Sequence, residues 1–289
     1  MFQKTIASLP TEIIEDILVQ LPIGESLIDV SLASKQLLAP FLFGSLSFSR
    51  RHLNCQLSTS NHDSILDYID SDSIEGHIPS MYQTALFNEI KTTDPDFNFC
   101  IQWASEQGHV TLVDLILRQG KAIDPSANDD FAFRMACTHG HFEVAKLLIS
   151  HSYVNPGAHD NWAIQWASQG GHTEIVELLL ADGRANPAAG NHHAIRYAAM
   201  NGHVNVLKLL LLDGRVDPTS VSNWAVRVAA EEGHLGTVRV LMKDPRVNPA
   251  DNQDYALRMA LENGHGNVVA LLLEDPRVDR DSRLARSRS

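Results

Sequence analysis

The chain has 289 residues, of which 44% are hydrophobic and 20% are charged, and its formal net charge is −12. This composition is typical of a folded chain with a core and excludes a largely disordered one. The acidic balance argues against a general nucleic-acid-binding surface, because phosphates require a basic patch. Cys55, Cys100 and Cys137 form no C-x-x-C pair, so a disulfide framework and a zinc ribbon are excluded. With no signal peptide or long apolar run in view, we expect no membrane contact and a cytoplasmic and/or nuclear protein.

The first fifty residues predict a small helical bundle. Pro22 ends a first helix whose apolar stripe is formed by Ile13, Ile14, Ile17, Leu18 and Leu21. Two further amphipathic stretches run from about residue 25 to 35 and from 36 to 42. Three such short helices form a core that is marginal by itself. They therefore need a partner surface, either the rest of the chain or another protein.

Motifs within this bundle occur at the spacing of a known domain. They are Leu9-Pro10-x-Glu12, Ile17-Leu18, Leu21-Pro22, Val30-Ser31 and Ser34-Lys35. Residues 1–50 resemble the F-box, a family that docks onto the Skp adaptor of cullin–RING ubiquitin ligases. The usual tryptophan after the Ser-Lys pair is absent, and Leu37 lies near its place. The resemblance implies an adaptor-binding face formed by Leu9, Pro10, Ile14, Ile17, Leu18 and Pro22. The alternative is that these helices only cap the region that follows.

Residues 51–92 connect the bundle to a repeated region. Gly76-His77 lies 32 residues before Gly108-His109, close to the period described below. Pro79 and an acidic run interrupt the pattern; the run comprises Asp63, Asp67, Asp70, Asp72 and Glu75. Two interpretations stay open for this segment, a degenerate capping repeat and an irregular linker.

Residues 93–279 contain six copies of one unit. Gly-His pairs start at residues 108, 140, 171, 202, 233 and 264, with spacings of 32, 31, 31, 31 and 31. Asp/Asn-Pro pairs keep the same period and start at residues 94, 124, 155, 186, 217 and 248. Such a period indicates a solenoid of stacked supersecondary units.

Each unit predicts two helices joined at the Gly-His pair. In the fourth copy a first helix spans residues 194–201, Gly202 ends it, and a second helix spans residues 204–212. The second helix is apolar on most sides, so it must be sandwiched between neighbours. A turn of the form Asp-Gly-Arg or Asp-Pro-Arg follows. We expect each Asp to stabilise its own turn and each Arg to pair across neighbouring copies.

Histidines are abundant here, and the segment HHAIRYAAMNGH (192–203) holds three of them. A metal site is one interpretation of such a cluster. However, His203 belongs to the Gly-His column, His193 to an aromatic column, and His192 to a column of Asp and Asn, which are helix N-cap residue types. The three histidines therefore have three structural roles, and we expect no metal and no other cofactor.

The repeated unit resembles the ankyrin repeat. The matching features are the small pairs Ala198-Ala199 and Ala229-Ala230, the Gly-His pair, and the leucines at 178–180 and 209–211. The resemblance implies an all-α fold, in which a short N-terminal helical bundle precedes an ankyrin-type solenoid of about six repeats of 31 residues. Two features depart from the family. Aromatic-Ala-aliphatic-Arg/Gln replaces Thr-Pro-Leu-His, and the period is shorter than the usual value of about 33 residues, which predicts short fingers between repeats.

The start of each first helix holds the candidate binding residues. An aromatic column lies there, formed by Phe99, Phe131, Trp162, His193, Trp224 and Tyr255. It belongs either to the core between repeats or to a binding surface. The residues just before it differ from copy to copy and are better candidates for target binding on the concave face. They are Asn128, Asp129, His159, Asp160, Asn191, His192, Ser222, Gln253 and Asp254.

The sequence does not indicate an enzyme. Cys100 and Cys137 occupy slots of small apolar residues, and no nucleophile elbow, P-loop or Gly-x-Gly-x-x-Gly motif occurs. The two resemblances together imply a substrate receptor of an SCF-type ubiquitin ligase, which binds the Skp adaptor at one end and an unknown target protein at the other. The alternative is a non-catalytic ankyrin-repeat scaffold. We expect the basic, serine-rich tail at 280–289 to be disordered.

Overall fold

The computed structural model describes residues 97–118 and 123–279, and within them it contains twelve helices and no strand. The predicted all-α fold is confirmed for this part of the chain. The bundle at 1–50, the segment at 51–92 and the tail at 280–289 lie outside the described residues. The helices are α1 Phe97–Glu106, α2 Val110–Leu117, α3 Ala127–Thr138, α4 Phe142–Ile149, α5 Ala158–Gly170, α6 Thr173–Asp182, α7 Ala189–Met200, α8 Val204–Leu212, α9 Ser220–Glu231, α10 Leu235–Leu241, α11 Asp251–Glu262 and α12 Gly266–Leu272.

The twelve helices form six pairs, and each pair is joined at one Gly-His. The chain divides after Ala127 into two compact units, and α1 and α2 belong to the first. In the second unit, α5, α7, α9 and α11 pack side by side, and α4, α6, α8, α10 and α12 form a second layer. Alanines such as Ala198 and Ala199 are fully buried and let the helices approach closely. Within the described residues, no helix is long and apolar enough to cross a bilayer.

The start of the first helix differs from the predicted polar stretch. In five copies, three consecutive residues have φ between 51 and 62°, which gives one left-handed turn before the right-handed helix begins at the aromatic column. This conformation disfavours a non-glycine residue by roughly 1–2 kcal/mol, and Asn and Asp tolerate it best. The left-handed turns comprise residues 128–130, 159–161, 190–192, 221–223 and 252–254.

The Gly-His pairs connect neighbouring repeats. Nε2–H of His203 donates to the carbonyl of Gln169 in the preceding repeat at 2.9 Å. A Cβ atom on Gly171 would lie 2.6 Å from Nδ1 of His203, so only glycine leaves space for that ring. The same bond recurs from His172 to Thr138, from His234 to Met200 and from His265 to Glu231. The Gly-His pairs therefore recur at the repeat period because each repeat makes the same contact with the repeat before it.

The Asp-x-Arg turns provide a second connection. Arg215 forms a bidentate ion pair with Asp213, with Nη2–Oδ2 at 2.7 Å and Nε–Oδ1 at 2.9 Å. Nη1 of Arg215 donates to the carbonyl of Ala185 in the preceding repeat at 3.1 Å. The predicted role of Asp in its own turn is confirmed. The predicted pairing of Arg across copies is modified, because the arginine forms its ion pair within the same turn and reaches the preceding repeat through a bond to a backbone carbonyl. Equivalent bonds run from Arg184 to Val154 and from Arg246 to Val216.

Candidate functional site

Seven of the nine predicted target-binding residues are exposed. They occupy the first two positions of the left-handed turns, at equivalent places in successive repeats of the second unit. A short exposed turn with variable side chains therefore recurs along one edge of the layer of first helices. These residues are Asn128, Asp129, His159, Asp160, Asn191, Ser222 and Gln253.

The other two, His192 and Asp254, are half-buried at the third position of their turns. Nδ1 of His192 accepts the backbone N–H of Asp217 at 3.1 Å, and Oδ1 of Asp254 accepts that of Asp279 at 3.3 Å. The predicted role as a helix N-cap is therefore wrong: no side-chain cap bond forms at the start of these helices, and the accepted N–H belongs to the next repeat. The equivalent side chains of Asp130, Asn161 and Asn223 accept the N–H groups of Asn155, Asn186 and Asn248.

A set of side chains that was not among the predicted ones stabilises the left-handed turns. Nε of Arg196 donates to the carbonyl of Asn191 at 3.0 Å, and its Nη2 donates to that of Gly190 at 3.1 Å. The recurrence of Arg or Gln three positions after the aromatic column was a visible signal, although its bonding partner depends on the turn. We name these the clamp residues: Arg134, Gln165, Arg196, Arg227 and Arg258.

The aromatic column is half-buried in all six copies, so it is neither pure core nor fully exposed. Its rings join with Trp166 and Tyr197, one turn further along the first helices, into a continuous aromatic ladder. Centroids of successive rings are 4.0 to 5.9 Å apart. The ladder runs from His159 through Trp162, Trp166, His193 and Tyr197 to Trp224.

Three clamp guanidinium groups lie over aromatic rings of the following repeat. The distances from Cζ to the ring centroid are 5.5 Å for Arg134 and Trp162, 5.3 Å for Arg196 and Trp224, and 4.6 Å for Arg227 and Tyr255. Partial burial and the charge of Arg196 lower the pKa of His193. Arg196 and Arg227 are half-exposed, whereas Arg134 is buried. Half-exposed tryptophan, tyrosine and arginine side chains beside variable turns match the composition of binding hot spots.

The two described cysteines are not part of the exposed turns or the aromatic ladder. Cys100 and Cys137 are fully buried, and burial raises the pKa of the Cys137 thiol far above its ordinary range. Both act as small apolar side chains between helices, as predicted. The three histidines of residues 192–203 also have three separate roles, since His203 and His192 bond to backbone atoms while His193 stacks on Tyr197.

Stacked helix pairs with Gly-His connections define a class of α-helical repeat proteins. The ankyrin repeats (3 copies) family model matches residues 101–191, 154–222 and 195–283, which together span more than half of the chain. The chain belongs to the ankyrin-repeat family, whose repeats indicate a protein–protein interaction module.

Solved structures share this fold. The human ASB11 ankyrin repeat domain is 21% identical, with a TM-score of 0.54, and the match covers 60% of this chain and 82% of that one. An ankyrin repeat domain from Acinetobacter baumannii AYE is 25% identical, with a TM-score of 0.50, and the match covers 61% of this chain and 97% of that one. The curated proteins include no match to the chain.

Proposed function

We propose that the protein is a non-catalytic receptor that binds a target protein on the surface formed by the left-handed turns and the aromatic ladder. One observation carries this proposal. The bonds between repeats are the same from copy to copy, whereas the first two turn positions are exposed and vary. Constant residues hold the stack together, so the variable, exposed ones are available for a partner.

We further propose that the receptor serves an SCF-type ubiquitin ligase. The F-box-like pattern of residues 1–50 supports this assignment, with Leu9, Pro10, Ile14, Ile17, Leu18 and Pro22 as the adaptor-binding residues. The chain itself would form no covalent bond. It would hold a target lysine near a ubiquitin-conjugating enzyme, which is catalysis by proximity supplied in trans. The alternative is an ankyrin scaffold whose N-terminal helices cap the stack, because terminal repeats need a covering surface.

Co-purification with a Skp-type adaptor tests the ligase assignment. We expect the wild-type chain to bind the adaptor and a Leu9→Asp, Leu18→Asp double variant to lose it. The matched control is Leu212→Asp, because this leucine is 84% exposed on α8 and we expect its replacement to keep the fold. If the wild-type chain does not bind, or if the Leu212 variant also loses the adaptor, the ligase assignment is wrong.

Quantitative target capture tests the binding surface. An Asn191→Arg, Ser222→Arg double variant places two bulky cations at exposed turn positions, and we expect it to lose the proteins that the wild-type chain retains. The control is an Asn205→Arg, Asn267→Arg variant, which adds the same charge at exposed positions of the second-helix layer. Equal loss in both variants would indicate a charge effect and exclude the turn surface as the target site.

A further inference from the structure

Three clamp residues in the last three repeats carry a positive charge that no carboxylate neutralises. Arg196, Arg227 and Arg258 are half-exposed and occupy the same position in successive repeats, and we name them the arginine row. Within residues 97–118 and 123–279, every ion pair lies at the end of α2 or in an Asp-x-Arg turn, so none involves the row. The row is therefore a local patch of positive charge on a chain whose net charge is −12.

Each guanidinium of the arginine row is held in place and still has donors to offer. Arg196 donates to its own turn through Nε and Nη2, Arg227 through Nη1, and Arg258 through Nε. Cζ of Arg196 lies 5.3 Å from the ring centroid of Trp224, and Cζ of Arg227 and of Arg258 lie 4.6 and 5.7 Å from that of Tyr255. The remaining terminal nitrogens bond to no described group and are accessible to solvent. Because these side chains are already ordered, an outside acceptor can bind them at little further cost in conformational entropy.

The carboxylates placed to neutralise the row are bonded to other groups. Glu231 follows Arg227 by four residues and Asp254 precedes Arg258 by four, which is the spacing of ion pairs on a helix. However, Oε2 of Glu231 accepts the hydroxyl of Tyr255 at 3.1 Å, and Oδ1 of Asp254 accepts a backbone N–H at 3.3 Å. The exposed second positions of the three turns beside the row hold neutral side chains, namely Asn191, Ser222 and Gln253.

The second and third repeats have the opposite character. Their clamp residues, Arg134 and Gln165, are buried, and the exposed second positions of their turns hold Asp129 and Asp160. The turn surface thus changes from acidic in these two repeats to basic in the last three. A negatively charged ligand is repelled at one end of this surface and attracted at the other, and this difference determines its position along the stack.

We propose that the arginine row binds an acidic, extended segment of the target protein. This inference rests on the proposed target-binding function and names the chemistry of the partner. Neighbouring helices of a stack lie about 8–10 Å apart, and three residues of extended chain span about 10 Å. Aspartate or glutamate at every third position of the segment would therefore meet one arginine in each of three repeats. The carboxylates would accept charge-assisted hydrogen bonds from the accessible terminal nitrogens.

Peptide titration of the full chain tests the proposal. The probe is a capped peptide in which three aspartates are separated by pairs of glycines, and its control has asparagine in place of each aspartate. Binding is followed by the indole N–H signal of Trp224, which lies next to Arg196 and is assigned through a Trp224→Phe variant. At low salt we expect the aspartate peptide to bind about tenfold tighter than the asparagine peptide, since an exposed ion pair contributes about twofold and three act together.

Glutamine is the matched replacement for the arginine row. Gln165 occupies the clamp position of the third repeat, and its amide donates to the carbonyl of Asp160 in its own turn. A triple variant with all three arginines of the row replaced by glutamine should therefore keep its turns. We expect it to bind the aspartate peptide about tenfold more weakly than the wild-type chain, with the affinity of the asparagine peptide.

A second triple variant controls for the loss of charge. Lys208→Gln, Arg239→Gln, Lys243→Gln removes three exposed cations from the second-helix layer and should keep the wild-type affinity. Circular dichroism shows whether each variant is folded. If the variant of the row unfolds, the single replacement Arg258→Gln provides the test, with an expected loss of affinity of about twofold.

Four results would overturn the inference. They are an absence of binding, equal affinity for the two peptides, an equal loss of affinity in the two triple variants, and tighter binding of a thymidine oligonucleotide with three negative charges. The last result would assign the row to phosphate groups.

Target capture separates this failure from that of the proposed function. The Asn191→Arg, Ser222→Arg variant keeps the arginine row, so it should still bind the peptide while its bulk excludes the target. If the glutamine variant of the row retains a target that the Asn191→Arg, Ser222→Arg variant loses, the surface binds its target without the row. If neither variant changes capture, the surface itself is not the target site.

Discussion

Replacing Gly171 by alanine tests how the Gly-His pair connects two repeats. Gly171 has φ 77° and lies under the ring of His203, whose Nδ1 and Cε1 atoms would be 2.6 and 2.7 Å from a new Cβ atom. Gly264 has almost the same φ, 78°, but a Cβ atom there would meet nothing within 4 Å. The two glycines therefore share the backbone conformation and differ in the neighbour.

The expected magnitudes follow from these contacts. Alanine in the left-handed region destabilises either site by about 1 kcal/mol. At Gly171 the displaced ring also loses the bond from His203 to Gln169, at about 1 kcal/mol, and its displacement from a packed interface adds roughly 1–3 kcal/mol. Gly171→Ala should thus lower the free energy of unfolding by about 2–4 kcal/mol more than Gly264→Ala.

Urea unfolding of the full chain, followed by far-ultraviolet circular dichroism, measures both free energies. A His203→Ala variant removes the ring, so the double variant with Gly171→Ala should show a coupling energy of about 2 kcal/mol. Equal destabilisation by the two glycine replacements, or a coupling energy near zero, would refute the conclusion that Gly171 leaves the space occupied by the His203 ring.

Three further predictions concern single side chains. Val221 is a β-branched residue at φ 54°, so Val221→Asn should stabilise the chain by about 1 kcal/mol in urea unfolding, and Asn252→Val at φ 53° should destabilise it by a similar amount. The hydrogen bond from Arg215 lowers the pKa of Asp213 from 3.8. The stabilising effect of this ion pair should therefore be present above pH 3.8 and lost as the pH falls below that value. The difference in unfolding free energy between the wild-type chain and Asp213→Asn, measured against pH, checks this. Burial and the charge of Arg196 lower the pKa of His193 from 6.5; an NMR titration should show this, and Arg196→Gln should raise the value.

Each of these predictions has a clear contrary result. Loss of stability in Val221→Asn would show that the left-handed turn does not strain valine. A difference between wild type and Asp213→Asn that stays constant from pH 6 to pH 2, a range that includes the ordinary value of 3.8, would exclude the ion pair as its source. An unchanged His193 titration in Arg196→Gln would place the cause of the shift elsewhere.

The helices could be predicted from the sequence because their signals are periodic and local. The second helix predicted at 204–212 is α8, Val204–Leu212, since an apolar run between Gly-His and Asp-Gly-Arg leaves few alternatives. The Gly-His pair was found by its spacing alone. Its cause is tertiary, since each histidine needs a glycine in the preceding repeat. In a repeated sequence, the residues that make contacts between repeats recur at the repeat period, and this spacing reveals them.

The left-handed turns were not predicted, and the reason is chemical ambiguity. Asn, Asp and His at the start of a helix fit a cap, a turn or a left-handed conformation equally well. Only the contacts separate these cases, through the bond of His192 to the next repeat and the clamp by Arg196. The predicted site residues consequently divide into exposed ones at the first two positions and bonded ones at the third.

The three recurring bonds between repeats all end on the main chain of the neighbour. His203 donates to a carbonyl, Arg215 donates to another, and His192 accepts a backbone N–H. Every residue except proline offers both groups, so these bonds require no particular side chain on the neighbour; the histidine ring requires a glycine there, and every copy has one. Copies of the unit are interchangeable modules. A gene that duplicates or deletes 31 codons would lengthen or shorten the stack and carry new turn residues with it, while the joints stay intact.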